Sequence, residues 1–406
     1  MIVRESFVNV MLVYLLLFVS GSVIYNMSPN KFLIIVFIVS LLAWLFFPER
    51  TINAKFILYV SIFAGILLTI SLYTDGSLSF GSVINSTMKL VLAYLILKIV
   101  GEHFTETYIR VVVFLAVISL FGYLSDKLYL FESLIRHLPR LGNNGYEGVF
   151  YTYRNMWQIG RNCSIFFEPG AYQGFLNAAL FMLFFAKVQF STSKQWAYIL
   201  ILLITLLTTF STTGFLIFTL MFGLFLMKSR ALSASGKAAL VGLLLVAITL
   251  VSVQLRHIIF EKIDKYTSTQ DITDNVTGGR RAFDALVDLE IIKRNAFGVG
   301  YSKYRQEFSA IGLVTEAAAG FSSNGITRTL AMYGIPFGLF LFASYYWAFG
   351  RLLGGGGIAI IPFGMLLMFF VGEAYYVLTP ICLALIAAAF VYDDRFTESE
   401  SAIREA

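Results

Sequence analysis

Three segments hold the residue types that could do chemistry; the first and third lie at the edge of an apolar run and the second within a long polar stretch. The first is Gly160-Arg161-Asn162-Cys163-Ser164-Ile165-Phe166-Phe167-Glu168-Pro169-Gly170. Pro169 suits the first turn of a helix, where its missing N–H leaves nothing unsatisfied. Glu168 then sits beside the positive end of that helix, which stabilises a carboxylate. Two roles are open to it. It is either a helix-start residue or structural partner of Arg161, or a general base that activates or orients a substrate.

The second segment runs from Thr277 to Tyr304: Thr277-Gly278-Gly279-Arg280-Arg281, a helical stretch, then Phe297-Gly298-Val299-Gly300-Tyr301. Phe283, Leu286, Val287 and Ile291 recur near helical spacing and form one apolar face. Arg281, Asp284 and Asp288 fall on a polar face with the Glu290/Arg294 pair. The pattern predicts an amphipathic helix resting on the membrane face of the protein. Free N–H groups at its start and the planar forks of Arg280 and Arg281 suit a phosphate. A solvated salt-bridge face is the alternative.

The third segment, Gly320-Phe321-Ser322-Ser323-Asn324-Gly325-Ile326-Thr327-Arg328, leads into another apolar run. A charge at the depth of Arg328 is costly and usually faces a cavity, although snorkelling to the interface also explains it. Glu373, Tyr375 and Tyr376 could line the same cavity; an interfacial aromatic belt accounts for the tyrosines equally well. His103, His137 and His257 have no ligand-like neighbours at metal spacing, so no metal site is expected. Cys163 and Cys382 lie far apart along the chain, and no disulfide is expected. Lys89, a turn and a half inside its run, reads as snorkelling, and the 40 phenylalanines as lipid contact and packing.

The elements that must position these segments are helices in a bilayer. Only 13% of the residues are charged and 58% are hydrophobic, against about 25% charged in a soluble domain. No water-soluble fold of 406 residues could hide that much apolar surface. Twelve apolar runs occur, at roughly 7–25, 32–47, 56–73, 83–100, 109–124, 171–187, 196–210, 213–227, 237–255, 327–349, 358–372 and 375–391. The expected fold is all-α, a single polytopic membrane domain over 1–406 with about 12 transmembrane helices. The first run follows Arg4 without a small-residue cleavage site and reads as a retained helix rather than a signal peptide.

Topology follows the short loops. With the N-terminus cytoplasmic, the inner ends collect Arg50, Lys55, Lys98, Arg110, Lys187, Lys194, Lys228 and Arg351, whereas the short outer turns offer only Lys31. Both termini then lie inside, with 393–406 a polar cytoplasmic tail. Ser211-Thr212-Thr213-Gly214 leaves little room for a turn, but basic residues on both sides favour a hairpin over one long broken helix. Two large loops, 125–170 and 256–326, fall on the outer face and carry fourteen of the 30 basic residues. Long loops are free of the charge rule, yet that excess suggests a use. No internal repeat is evident, which counts against a transporter of lipid-linked sugars.

At these segments the sequence resembles the bacterial O-antigen polymerase and ligase superfamily, and looks closest to Wzy-type polymerases of surface polysaccharides. The resemblance rests on Glu168-Pro169-Gly170 entering a helix and on the Ser211 to Gly214 break. It rests also on an Arg-rich helix from Arg281 to Gly298 and Gly300, and on Asn324 opening a helix with Gly334 beyond. It implies transfer of one undecaprenyl-diphosphate-linked glycan onto another at the outer face of the cell inner membrane, with inversion. It implies a lipid bilayer and a chain-length regulator membrane protein as partners, and neither nucleic acid, cofactor nor metal. Carried over by position, Arg281 and Glu168 are the catalytic candidates. Arg161, Arg280, Tyr301, Asn324 and Arg328 would bind diphosphate or glycan. The ligase branch has His near the Asn and an acidic residue eight positions beyond it; here Ser323 and Met332 stand there. That counts against a ligase and leaves Glu168 as the better base, with His257 behind it.

Overall fold

The computed structural model describes residues 2–47, 51–140, 145–147, 150–154, 160–228, 242, 280–311 and 321–392. The chain is mostly helical. Helices α1 (Ile2–Phe18), α2 (Val23–Met27), α3 (Pro29–Leu45), α4 (Ala54–Tyr73), α5 (Phe80–Val100), α6 (Phe104–Lys127) and α7 (Glu132–Ile135) precede a two-stranded ribbon. That ribbon pairs β1 (Tyr146–Glu147) with β2 (Thr152–Tyr153) in antiparallel fashion. Then come α8 (Pro169–Phe185), α9 (Thr192–Thr208), α10 (Thr212–Lys228), α11 (Arg280–Arg294) and α12 (Gly300–Ile311). The last three are α13 (Gly325–Leu353), α14 (Gly356–Gly372) and α15 (Pro380–Val391).

Three helical stretches, Ala54–Tyr73, Phe80–Lys127 and Gly325–Leu353, are long and apolar enough to cross a membrane. Phe80–Lys127 turns at Gly101 (φ +58°, ψ −135°), so it is two helices. Among the described residues, eleven of the expected apolar runs fall on helices; 237–255 lies outside them save position 242. Two runs are shorter than expected. The first breaks after Phe18, where Gly21 lies against the Tyr376 hydroxyl with φ +142°. The last begins only at Pro380, after a 3-10 turn at Ala374–Tyr376.

Local chemistry sets the helix starts. Asn53 accepts a hydrogen bond from the Lys55 N–H at 2.9 Å and caps α4, and Ser79 caps α5 through Ser82. Proline opens α3, α8 and α15, where its fixed φ is already helical. The second half of α5, Leu90 to Val100, is buried on nearly every side and packs on α15, and Phe56 stacks there on Tyr94 at 3.8 Å between centroids.

Helix direction alternates. At one end Asn53 Nδ2 donates to the Phe390 carbonyl at 3.1 Å and the Tyr392 hydroxyl to the Gly101 carbonyl at 2.8 Å. The other end, the site end, gathers the starts of α5, α8, α10 and α13 and the ends of α4, α6, α9 and α14. The Ser211 region is a hairpin. α9 ends at Thr208, Phe210 takes φ +49°, and α10 runs beside α8 with Gly214 against Gln173 and Phe222 against Phe184. The described parts of both basic loops emerge at the site end.

Candidate functional site

The start of α13 is held by its own side chains. Asn324 Oδ1 accepts from the Ile326 and Thr327 N–H groups at 3.1 and 3.3 Å, and Ser322 Oγ accepts from the Asn324 N–H at 3.0 Å. One turn in, Arg328 is 8% exposed. Its guanidinium carbon lies 4.7 Å from the Phe321 ring centroid and 4.6 Å from that of Tyr375. Nε approaches Met332 Sδ at 3.5 Å, and Nη1 has no hydrogen-bond partner among the described residues. Two ring faces hold the cation but offer no anion. A buried guanidinium with an unmade donor is costly, and a bound acceptor would remove that cost. Arg305 approaches the Phe321 ring at 5.8 Å, and the Tyr301 ring lies 5.1 Å from it, so a second, exposed arginine borders the same aromatic group.

The expected amphipathic helix, α11, packs along the first part of α13 both through Val287 and Ile291 of its apolar face, which meet Ala331 and Met332, and through its aspartates. Asp284 and Asp288 are buried at 3% and 0% exposure, while Leu286 and Leu289 are exposed. Asp284 Oδ2 accepts from the Ser323 N–H at 2.7 Å and the Ser323 hydroxyl at 2.6 Å. Asp288 accepts from the Thr327 hydroxyl at 2.6 Å and the Tyr304 hydroxyl at 2.7 Å. Burial pushes the Asp288 carboxyl up to about 6; hydroxyl donors from Thr327, Ser322 and Tyr304 oppose the rise and the Asp284 charge adds to it. The solvated face that the spacing left open as an alternative is not what forms at Asp284 and Asp288, because hydroxyl groups of Ser323 and Thr327, 39 residues further along the chain, meet them. The Glu290–Arg294 pair is an exposed contact at 3.0 Å, as its spacing suggests.

Glycines join the two elements. Gly298 (φ +87°) brings its Cα within van der Waals limits of the α13 backbone, where an added Cβ would stand 2.5 Å from the Gly334 nitrogen. Gly334 is itself non-helical (φ +83°, ψ +160°), and with Pro336 it kinks α13. The kink leaves backbone groups without intrahelical partners. They are satisfied from the Gly298 segment, by the Val299 N–H to the Ala331 carbonyl at 3.1 Å and the Ile335 N–H to the Ala296 carbonyl at 2.8 Å. The Gly-x-Gly motif and Gly334 are therefore one structural joint.

Across the site end, Pro169 opens α8 and Glu168 occupies its N-cap with a half-buried side chain that does not cap the helix. A side chain on Gly170 would collide with the Glu373 carboxylate, so glycine there lets a buried acid, 6% exposed, reach the start of α8. Glu373 is linked in turn to α13, because Gly325 lies against the Phe370 carbonyl and the Ala374 Cα. Burial pushes the Cys163 thiol up to about 12; the Arg161 charge lowers it, and the charges of Glu168 and Glu373 raise it. Those three charged groups therefore share one neighbourhood. Arg161 directs Nε and Nη2 at the carbonyls of Thr209 and Phe210, at 3.1 and 3.0 Å, and so closes the C-terminus of α9.

Of the expected site residues, Asn324, Arg328 and Tyr301 meet at the start of α13, while Arg161 and Glu168 gather with Glu373 at the start of α8. The Gly372–Tyr376 turn joins the two groups. Arg280 and Arg281 begin α11, one turn before Asp284, but their side chains lie outside the described residues, as does His257. Sequence reasoning did not single out Arg305. It also did not find Gln173 and Asn177 on α8, which are buried at 0% and 4% exposure, with Asn177 Nδ2 donating to Gln173 Oε1 and to the Gly214 carbonyl. Two amides four residues apart in an apolar run were the available signal. No protein-family model matches the sequence, and no curated protein matches it.

Proposed function

We propose that this chain is a glycosyltransferase that polymerises undecaprenyl-diphosphate-linked oligosaccharide repeats of an O-antigen or similar surface polysaccharide, at the outer face of a bacterial inner membrane. One observation carries the reading most of the way. Arg328 is a buried cation with an unmade donor, held between Phe321 and Tyr375 at a helix start and bordered by Arg305. The planar fork of an arginine is the donor that a diphosphate needs, and the N–H groups at the start of α13 are already taken by Asn324. Across the Gly372–Tyr376 turn stands Glu168, with Glu373 in the turn itself, so a carboxylate is at hand for the proton of a sugar hydroxyl.

In this mechanism the acceptor hydroxyl oxygen attacks the anomeric carbon of the donor glycan. The bond from that carbon to the diphosphate oxygen breaks with inversion. Glu168 takes the hydroxyl proton, and undecaprenyl diphosphate leaves. Arg328, with Arg280 and Arg281 at the start of α11, stabilises the charge that develops on the leaving group, which is the largest catalytic term expected in such a site. Tyr301 and Asn324 border the glycan, and a chain-length regulator would act on the growing product. The test is purified protein in lipid nanodiscs, given a defined lipid-linked repeat, with products resolved on a gel. A ladder from the wild type and single repeats from Glu168→Gln are expected. Unchanged substrate with well-folded wild-type protein would sink the reading.

A further inference from the structure

The start of α13 carries the site arginine, yet the contacts that fix it from outside come from another helix. α11 runs parallel to the first part of α13 and meets it at two levels, Asp284 with Ser323 and Asp288 with Thr327. Ser323 precedes the N-cap, and Thr327 precedes Arg328. Tyr304 of α12 extends the connection: its hydroxyl donates to Asp288 at 2.7 Å and accepts from the Ser322 N–H at 3.1 Å. Both carboxylates are buried, and each receives two hydrogen bonds or a comparable pair of short contacts, so they act as fasteners rather than solvated charges.

We propose that Asp284 and Asp288 are positioning residues, which fasten the start of α13 to α11 and thereby hold the Arg328 guanidinium between Phe321 and Tyr375 with its free donor presented to substrate. This rests on the diphosphate reading of that site. The two aspartates touch no substrate; they act through Ser323 and Thr327. If the fastening is lost, Arg328 occupies its receptive geometry only part of the time. A fall in the receptive fraction to about a tenth weakens apparent affinity about tenfold.

The connection also responds to pH. The charged or titratable groups facing Asp288 are Asp284 on its own helix and Tyr304 on α12, and Arg328 on α13 acts on Tyr304 in turn. Asp288 takes up a proton more readily when packed than when solvated, so the packed form gains as pH falls through about 6. Protonation also removes a negative charge from the neighbourhood of the anion site. Both effects strengthen anion binding at lower pH. An asparagine at this position mimics the protonated acid and abolishes the step.

The experiment measures undecaprenyl diphosphate binding to the full chain in nanodiscs from pH 5 to 8, for wild type, Asp288→Asn, Asp288→Leu, Thr327→Val and Thr327→Ser. Dividing wild-type by Asp288→Asn affinities cancels the titration of the probe itself. The expected result is about tenfold weaker binding by Asp288→Leu and Thr327→Val, with near-wild-type binding by Thr327→Ser. The affinity ratio should step near pH 6 (higher for the wild type on the acid side relative to its own neutral value). Thr327→Val reports on the same contact if Asp288→Leu does not fold. Wild-type binding that survives both Asp288→Leu and Thr327→Val within twofold overturns this inference alone. No binding by the wild type overturns the diphosphate reading and this inference with it.

Discussion

Replacing Arg328 with methionine separates a binding role from a structural one. The side chain keeps its apolar stem between Phe321 and Tyr375 and loses the cation. Each ring contact with the guanidinium contributes about 0.5–2 kcal/mol, and both centroid distances are below 5 Å. Against that, leaving the buried Nη1 without an acceptor costs about 1–3 kcal/mol. The two terms are of similar size, so the folded free protein should change little in stability. Binding responds differently. A hydrogen bond to a charged acceptor contributes about 1.5–3 kcal/mol, which corresponds to a loss of roughly tenfold to a hundredfold in affinity. The assay is paired: thermal unfolding of purified Arg328→Met in detergent, and its affinity for undecaprenyl diphosphate in nanodiscs. A melting temperature within a few degrees of wild type, with at least tenfold weaker binding, is the expected outcome. A large drop in melting temperature with unchanged affinity would show that Arg328 serves the bundle and not a ligand.

Other outcomes follow from the same geometry. Gly298→Ala should destabilise the joint with Gly334 by more than the ~1 kcal/mol of a left-handed backbone alone, because the added Cβ would meet the Gly334 nitrogen at 2.5 Å; thermal melting measures it. Folding stability should fall as pH rises from about 4 to about 6, since Asp288 keeps its proton to about pH 6 when folded and releases it near 3.8 when solvated. The span sets an upper bound of about 3 kcal/mol at 1.36 kcal/mol per unit, and melts of Asp288→Asn across this range should be flatter. Arg281→Ala should abolish long-chain polysaccharide while the protein still inserts; normal ladders from a well-expressed variant would refute its role. Arg305→Ala should weaken lipid-diphosphate binding severalfold and leave melting unchanged, because the residue is exposed and touches Phe321 from outside.

Much of the scaffold was legible in the linear chain, and for one reason. Apolar runs, their caps and their breaks are local properties, set within a few residues of each position. Pro169 and Asn324 open helices where their types predict, and the Ser211 region turns where flanking charge demands a return. Arg328 also stood out, as a charge at membrane depth for which the sequence left both a cavity and snorkelling open. The length of the first and last runs was misjudged, since apolar residues continue through Gly21 and the Ala374–Tyr376 turn without marking either break.

The site was less legible because its defining contacts join distant positions. A helical wheel places Asp284 and Asp288 on a polar face, but it does not say whether water or another helix meets that face. Only the packed chain brings Ser323 and Thr327 there and turns two apparent surface charges into buried fasteners. The same holds for Gly298 with Gly334, and for Gly170 with Glu373: each glycine makes room for a partner far along the chain. What the sequence by itself determined is a helical protein for an apolar solvent, with basic segments where the helices begin. The tertiary structure alone decided which of those polar residues face each other, because burial and hydrogen-bond partnership depend on neighbours that local periodicity does not encode.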